Sequence, residues 1–228
     1  MSAAAEKNAR AIILANLRQG LAEAPLAVPA PPARPAPDPR DADESGMWAR
    51  LAEVLSPLSV RLRLAQTPAE AAGHVAEIAR ERGAKSYTRW DAALDGLGLD
   101  EALDGLARAE AAPCRELGQV DLGITLAHGV LVESGTMVLA AGPGRHRAAS
   151  LLPPASVILA PRSALLADVG LLPELLRRLG GELEEGARPP ACVNLISGPS
   201  STADIELVLV RGVHGPASLE IIGLDWDI

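Results

Sequence analysis

Apolar residues at helical spacing (Ala9, Ile12, Ile13, Leu17) within the Ala-rich stretch Ser2–Leu21 predict an amphipathic helix near the start of the chain. Further on, Glu44–Leu55 reads as a second helix, and Ser59–Leu64 (SVRLRL) alternates apolar and basic residues as a half-buried strand does. Thr67-Pro68-Ala69-Glu70 supplies an N-cap, a proline at the first helical position and a Glu three residues on; the helix it opens runs to about Arg82 and stops at Gly83. Ala84–Thr88 follows as a strand and Asp100–Glu110 as a helix.

In the second half, Gly129–Val132 and Thr136–Ala140 are apolar runs split by Glu133-Ser134-Gly135, the spacing of a hairpin. Ser156–Ala160 (SVILA) is continuously apolar, as a strand covered on both faces would be. Ser163–Leu179 reads as a helix, Val193–Ile196 as another buried strand, Ala203–Arg211 as a helix and Leu219–Leu224 as the last strand. Strands alternating with helices, and one hairpin among them, predict an α/β fold with a mixed sheet flanked by helices.

Seven prolines between Ala24 and Arg40 each fix φ and lack a donor, so the stretch can only be extended or polyproline-like and reads as a spacer. The 228 residues therefore divide into an N-terminal helix (1–22), a Pro-rich linker (23–43) and one α/β domain (44–228). A net charge of −8 and an aromatic set of one Tyr, three Trp and no Phe argue against nucleic acid as a partner: there is neither a cationic surplus for phosphates nor a platform for bases. Two cysteines, Cys114 and Cys192, cannot build a four-cysteine iron–sulfur cluster or a disulfide scaffold, and no His or Cys spacing forms a metal motif. Without an apolar stretch long enough to span a bilayer, a cytoplasmic protein is expected.

Candidate chemistry concentrates in Asn194–Glu206. An apolar strand turns through Gly198-Pro199 into Ser200, Ser201 and Thr202, with Asp204 and Glu206 placed to support the cap of the expected helix. Those residues either cap a helix and nothing more, or hold a small anion at its positive end. Glu133, at the hairpin tip, is a candidate nucleophile or base, or a solvated turn residue. Arg145, His146 and Arg147 sit in a Gly-bounded loop that either covers an anionic substrate or is simply solvated, and Arg162 follows a strand end. His214, in Gly215-Pro216 turn chemistry, reads as a turn residue.

The linked motifs Gly123–Leu139, Ser150-Leu-Leu-Pro-Pro154, Ala160-Pro-Arg-Ser163, Asn194–Glu206 and Gly212-Val-His-Gly-Pro216 together resemble the lactate utilization protein C family. The resemblance implies a LUD domain, with a fold similar to the ribose-5-phosphate isomerase, glucosamine-6-phosphate deaminase and CoA-transferase group. It also implies participation in oxidation of L-lactate to pyruvate with iron–sulfur partner proteins, the chain itself carrying no cofactor. Where the family has Gly-Pro-Ser-Arg-Thr-Ala-Asp, this chain has Ser201 in place of the Arg, so the anion site is either structural or takes its charge from Arg145, Arg147 or Arg162. The alternatives are a stand-alone CoA-transferase-like or sugar-phosphate isomerase-like enzyme using Glu133, or a folate cyclo-ligase-like one, for which a Lys/Arg-rich phosphate clamp is missing. A homo-oligomer stays open as well.

Overall fold

The continuous apolar run Ala155–Pro161 is strand β7, buried at every residue between two parallel neighbours. The structure is a computed structural model that describes residues 11–20, 43–90, 94–110, 114–180, 190, 192–203 and 209–228. The chain divides into two units, Met1–Ala36 and Pro37–Ile228. In the first, residues 11–20 form helix α1, inside the predicted range. The Pro-rich linker lies outside the described residues.

In the second unit the helices are α2 (Glu44–Leu55), α3 (Pro68–Glu81), the short α4 (Leu99–Ala102), α5 (Cys114–Leu117) and α6 (Ala148–Leu151), and α7 (Leu172–Leu179). With β1 (Arg61–Ala65), β2 (Ser86–Arg89), β3 (Ala107–Arg108), β4 (Leu122–Leu126) and β12 (Ser218–Leu224), strand β7 forms a six-stranded sheet, ordered β1-β12-β7-β4-β2-β3 and parallel throughout. The α/β class with flanking helices is as predicted. The hairpin strands β5 (Gly129–Leu131) and β6 (Thr136–Ala140) belong to a second sheet. There β5 pairs antiparallel with β6 and parallel with β8 (Leu165–Leu166), and β6 pairs antiparallel with β9 (Val193–Ile196). No helix among the described residues is long and apolar enough to cross a membrane.

Local chemistry sets the element boundaries. Asp43 accepts the Gly46 N–H at 2.6 Å and caps α2. Thr67 Oγ1 accepts the Glu70 N–H at 3.2 Å, while the Glu70 carboxylate accepts the Gln66 N–H at 2.7 Å. This is a capping box shifted by one residue, with Pro68 at the first helical position as read from the sequence.

Strand alternation divides the parallel sheet into two faces. Glu220 of β12 and Arg61 of β1, paired in register, share the face covered by α3. Gly123, Ser156, Leu219 and Gly223 share the other, where α2 and α6 pack. Both helices sit close because glycines lie beneath them. A Cβ on Gly223 would come within 2.8 Å of the Trp48 ring of α2, and one on Gly123 within 1.8 Å of the Ala149 carbonyl oxygen of α6.

Three predicted elements differ. Asp100–Glu110 gives only the turn α4, because Gly105 takes φ +90° and the Ala107 and Ala109 N–H groups donate to Lys85 and Tyr87, extending the sheet. Ser163–Leu179 is broken by β8, and its helix starts at Leu172. The helix over Ala203–Arg211 is absent at its described ends: β10 (Ser201–Ala203) pairs antiparallel with β11 (Leu209–Arg211). Its apolar run satisfies both helical and strand periods, and pairing across the sheet decides between them. Val193–Ile196 is a strand as predicted, yet it lies at a sheet edge with Leu195 54% exposed rather than buried.

Candidate functional site

Three loops converge at the amino ends of β7 and β12. Pro154 accepts the Ala217 and Ser218 N–H groups at 2.9 and 3.2 Å, Pro216 accepts the Ser200 N–H at 2.8 Å, and Ser200 accepts the Gly212 N–H at 2.9 Å. These bonds tie Ser150–Pro154, Ser197–Ser200 and Gly212–Pro216 together around a cleft of about 220 Å³. Its walls carry Ser150, Ser156, Ser197, Ser200 and His214, together with Gly198 and Gly215. A side chain on Gly215 would meet the Ser200 Cβ at 3.2 Å.

The hydroxyls differ in what they touch. Ser150 Oγ donates to the Arg147 carbonyl at 3.0 Å. Ser197 Oγ and Thr136 Oγ1 are 2.8 Å apart, and Thr136 Oγ1 and Ser134 Oγ also 2.8 Å, so a hydroxyl chain runs from the cleft to the hairpin tip. Ser156 is 1% exposed, and its Oγ has no hydrogen-bond partner among the described residues. Leaving a buried hydroxyl unpaired costs about 1–3 kcal/mol, so a ligand oxygen or nitrogen that pairs with it gains correspondingly. The cleft can therefore hold a small, oxygen-rich molecule by hydrogen bonds that both donate and accept.

Of the residues singled out from the sequence, Gly198 and Ser200 line this cleft. Ser201 is exposed and donates to the Pro199 carbonyl at 3.2 Å, and Thr202 pairs with Val210; neither lines the cleft. Since β10 rather than a helix follows Pro199, no helix among the described residues starts there, and an anion reading rests on hydroxyls instead. Asp204 and Glu206 lie outside the described residues.

Glu133 is exposed and its carboxylate accepts the Val169 N–H at 3.2 Å. Arg145 lies against His128, Arg147 is exposed, and Arg162 follows the carboxyl end of β7, opposite the Ser156 end. The cleft thus gathers the hydroxyls without the three arginines. His214, read as a turn residue, sits in the turn and lines the cleft as well. Sequence reasoning did not single out Ser150, Ser156 or Ser197: Ser150 and Ser197 lie inside the quoted motifs, and the signal for Ser156 was a lone hydroxyl in the apolar run SVILA.

A six-stranded parallel sheet with a second, smaller sheet and a loop-built cleft defines the class of α/β protein. The fold is similar to that of a DUF162 family protein from Deinococcus radiodurans, with a TM-score of 0.59 at 19% identity over 80% of this chain and 98% of that one. The chain belongs to the LUD domain family, which it matches over residues 49–223. It is 48% identical over 98 residues to lactate utilization protein C of Halalkalibacterium halodurans, covering 43% of this chain and 41% of that protein. To the uncharacterized protein YkgG of Escherichia coli K12 it is 38% identical over 156 residues, 65% of this chain and 66% of the relative. The matched region thus spans less than two thirds of either relative. Relatives named lactate utilization protein C at 34 to 48% identity bear out the resemblance read from the motifs.

Proposed function

We propose that this chain works in lactate utilization, supporting oxidation of L-lactate to pyruvate together with iron–sulfur partner proteins, with the serine-lined cleft as its ligand site. The observation that carries the cleft assignment is the meeting of three motif loops over the buried, unpartnered Ser156 hydroxyl. The names of the relatives support the metabolic setting. Conversion of lactate to pyruvate releases two electrons and two protons, so an electron acceptor is required. A chain with two cysteines leaves a four-cysteine cluster to its partners. A hydroxy acid offers a hydroxyl and a carboxylate to the cleft's hydroxyls, with the His214 ring among them.

Reconstitution tests this reading. The chain is combined with candidate iron–sulfur proteins, and lactate-dependent dye reduction is followed with and without it. A rate that depends on the chain and falls in Ser156→Ala supports the proposal; equal rates without the chain overturn it. One observation favours the stand-alone enzyme: the Ser134–Thr136–Ser197 hydroxyl chain links the hairpin carrying Glu133 to the cleft. That reading requires turnover of an acyl-CoA or phosphosugar by the single chain, lost in Glu133→Gln.

A further inference from the structure

His128 follows β4 at its carboxyl end, and both of its ring nitrogens face N–H donors. Nδ1 lies 3.2 Å from the backbone N of Ala140, a residue 1% exposed. A buried backbone N–H needs an acceptor, so Nδ1 carries the lone pair and Nε2 carries the proton. Arg145 Nη1 is 2.7 Å from that Nε2. A guanidinium has donors only, so two donors confront one another. Burial, helped by the Arg145 charge, pushes His128 down to about 4, which keeps its ring neutral near pH 7.

Arg145 differs from the arginines that form ion pairs elsewhere in the fold. Arg61, Arg63, Arg82, Arg89 and Arg108 each meet a carboxylate, whereas among the described residues Arg145 meets none. It folds back over Gly142, where an added Cβ would lie 2.9 Å from Nη2. Trp90, at the carboxyl end of β2, packs its ring 5.7 Å from that of His128 and donates its Nε1–H to the His146 carbonyl at 3.2 Å. His146 Nδ1 is itself buried and has no partner among the described residues. The carboxyl ends of parallel strands are where open α/β sheets commonly receive ligands.

We infer that Arg145 and His128 form a binding site for a small oxyanion, a carboxylate or phosphate group, at the carboxyl ends of β2 and β4 and separate from the serine-lined cleft. One oxygen takes the guanidinium fork and another the His128 Nε2–H, replacing the donor-on-donor contact with two charge-assisted hydrogen bonds. The site does not depend on lactate utilization being the function.

The test uses the full chain labelled with ¹⁵N. The Trp90 indole N–H resonance, assigned by its loss in Trp90→Phe, is followed while acetate, L-lactate or inorganic phosphate is added at constant ionic strength. A saturable shift is expected with at least one of these anions, and the one saturating lowest identifies the head group. Arg145→Gln should weaken binding at least tenfold. Arg145→Lys, which keeps charge but not the fork, should weaken it at least threefold and serves if the Gln variant does not fold. Arg147→Gln, at an exposed neighbouring cation, should stay within twofold. No saturation with any anion, an unchanged titration in the Arg145 variants, or an equal loss in Arg147→Gln would overturn the site.

Discussion

On the face of the parallel sheet covered by α3, Glu220 is 2% exposed and accepts hydrogen bonds from Arg61 at 2.8 to 3.2 Å and from Arg82 at 3.0 Å. On the face covered by α2 and α6, Thr88, Thr125 and Ser156 are as deeply buried, and their hydroxyls have no partner among the described residues. Thr88, Gly123 and Ser156 are in register across β2, β4 and β7, with Thr125 two residues further along. The first face has its buried polar groups matched within the fold, as a structural region requires. The second retains groups that packing alone does not call for, and both candidate sites adjoin it.

Gly123→Ala gives the largest way to disturb this contrast. A Cβ would overlap the Ala149 backbone oxygen, which has no rotamer to move away, so α6 must shift as a whole. A loss of about 3 kcal/mol in urea unfolding is expected, at the upper end of overpacking costs. A loss under about 1 kcal/mol would show that α6 slides easily and that the row beneath it is not held in place.

Glu220→Gln comes next and probes the matched face. The substitution keeps the shape but removes the charge that Arg61 and Arg82 share. Because both arginines are partly exposed, about 2 kcal/mol of destabilisation is expected, below the full cost of breaking an enclosed pair. Urea midpoints in wild type and variant decide it, and a neutral result would mean that the α3 face gains nothing from its matching.

A smaller, pH-dependent effect belongs to Asp100. The Arg89 hydrogen bonds hold its carboxyl at about 2, with Tyr87 and Arg108 assisting. With the folded value below the unfolded one, this stabilisation is fully present above about pH 4 and is lost as pH falls through about 2. Since Asp100 is 38% exposed, solvent screening leaves about 1 kcal/mol. Thermal melts between pH 5 and 2 should show a shallower acid loss in Asp100→Asn than in wild type; parallel curves would remove Asp100 from the account.

The same contrast explains what the sequence made legible. The Thr67-Pro68 cap, the α2 span and the apolar β7 are local signals, and each fixed its element without help from distant residues. The pairing of Ser201–Ala203 with Leu209–Arg211 depends on register between segments, and its apolar run fits either period, so a helix was the wrong choice there. Gly198 and Ser200 were found because they sit in a motif. Ser156 was not, since a single serine in an apolar strand looks like core until the loops from Ser197 and Gly212 are seen to close over it. The His128–Arg145 contact joins residues 17 apart through a second sheet, which periodicity does not report.

Ser156→Ala has the smallest expected effect on stability, and its sign separates the two faces. If the hydroxyl served the fold, its removal would destabilise the protein, as Glu220→Gln should. As a buried group without a partner, it instead costs desolvation without return, so the ligand-free variant should be more stable than wild type by up to about 1 kcal/mol. Urea unfolding with no added ligand measures this directly. Repeating it with excess L-lactate should stabilise wild type more than the variant, because only wild type gains a partner for Oγ, and binding to the folded state raises stability by mass action. Destabilisation without ligand would place Ser156 with the matched groups and withdraw the cleft's main support.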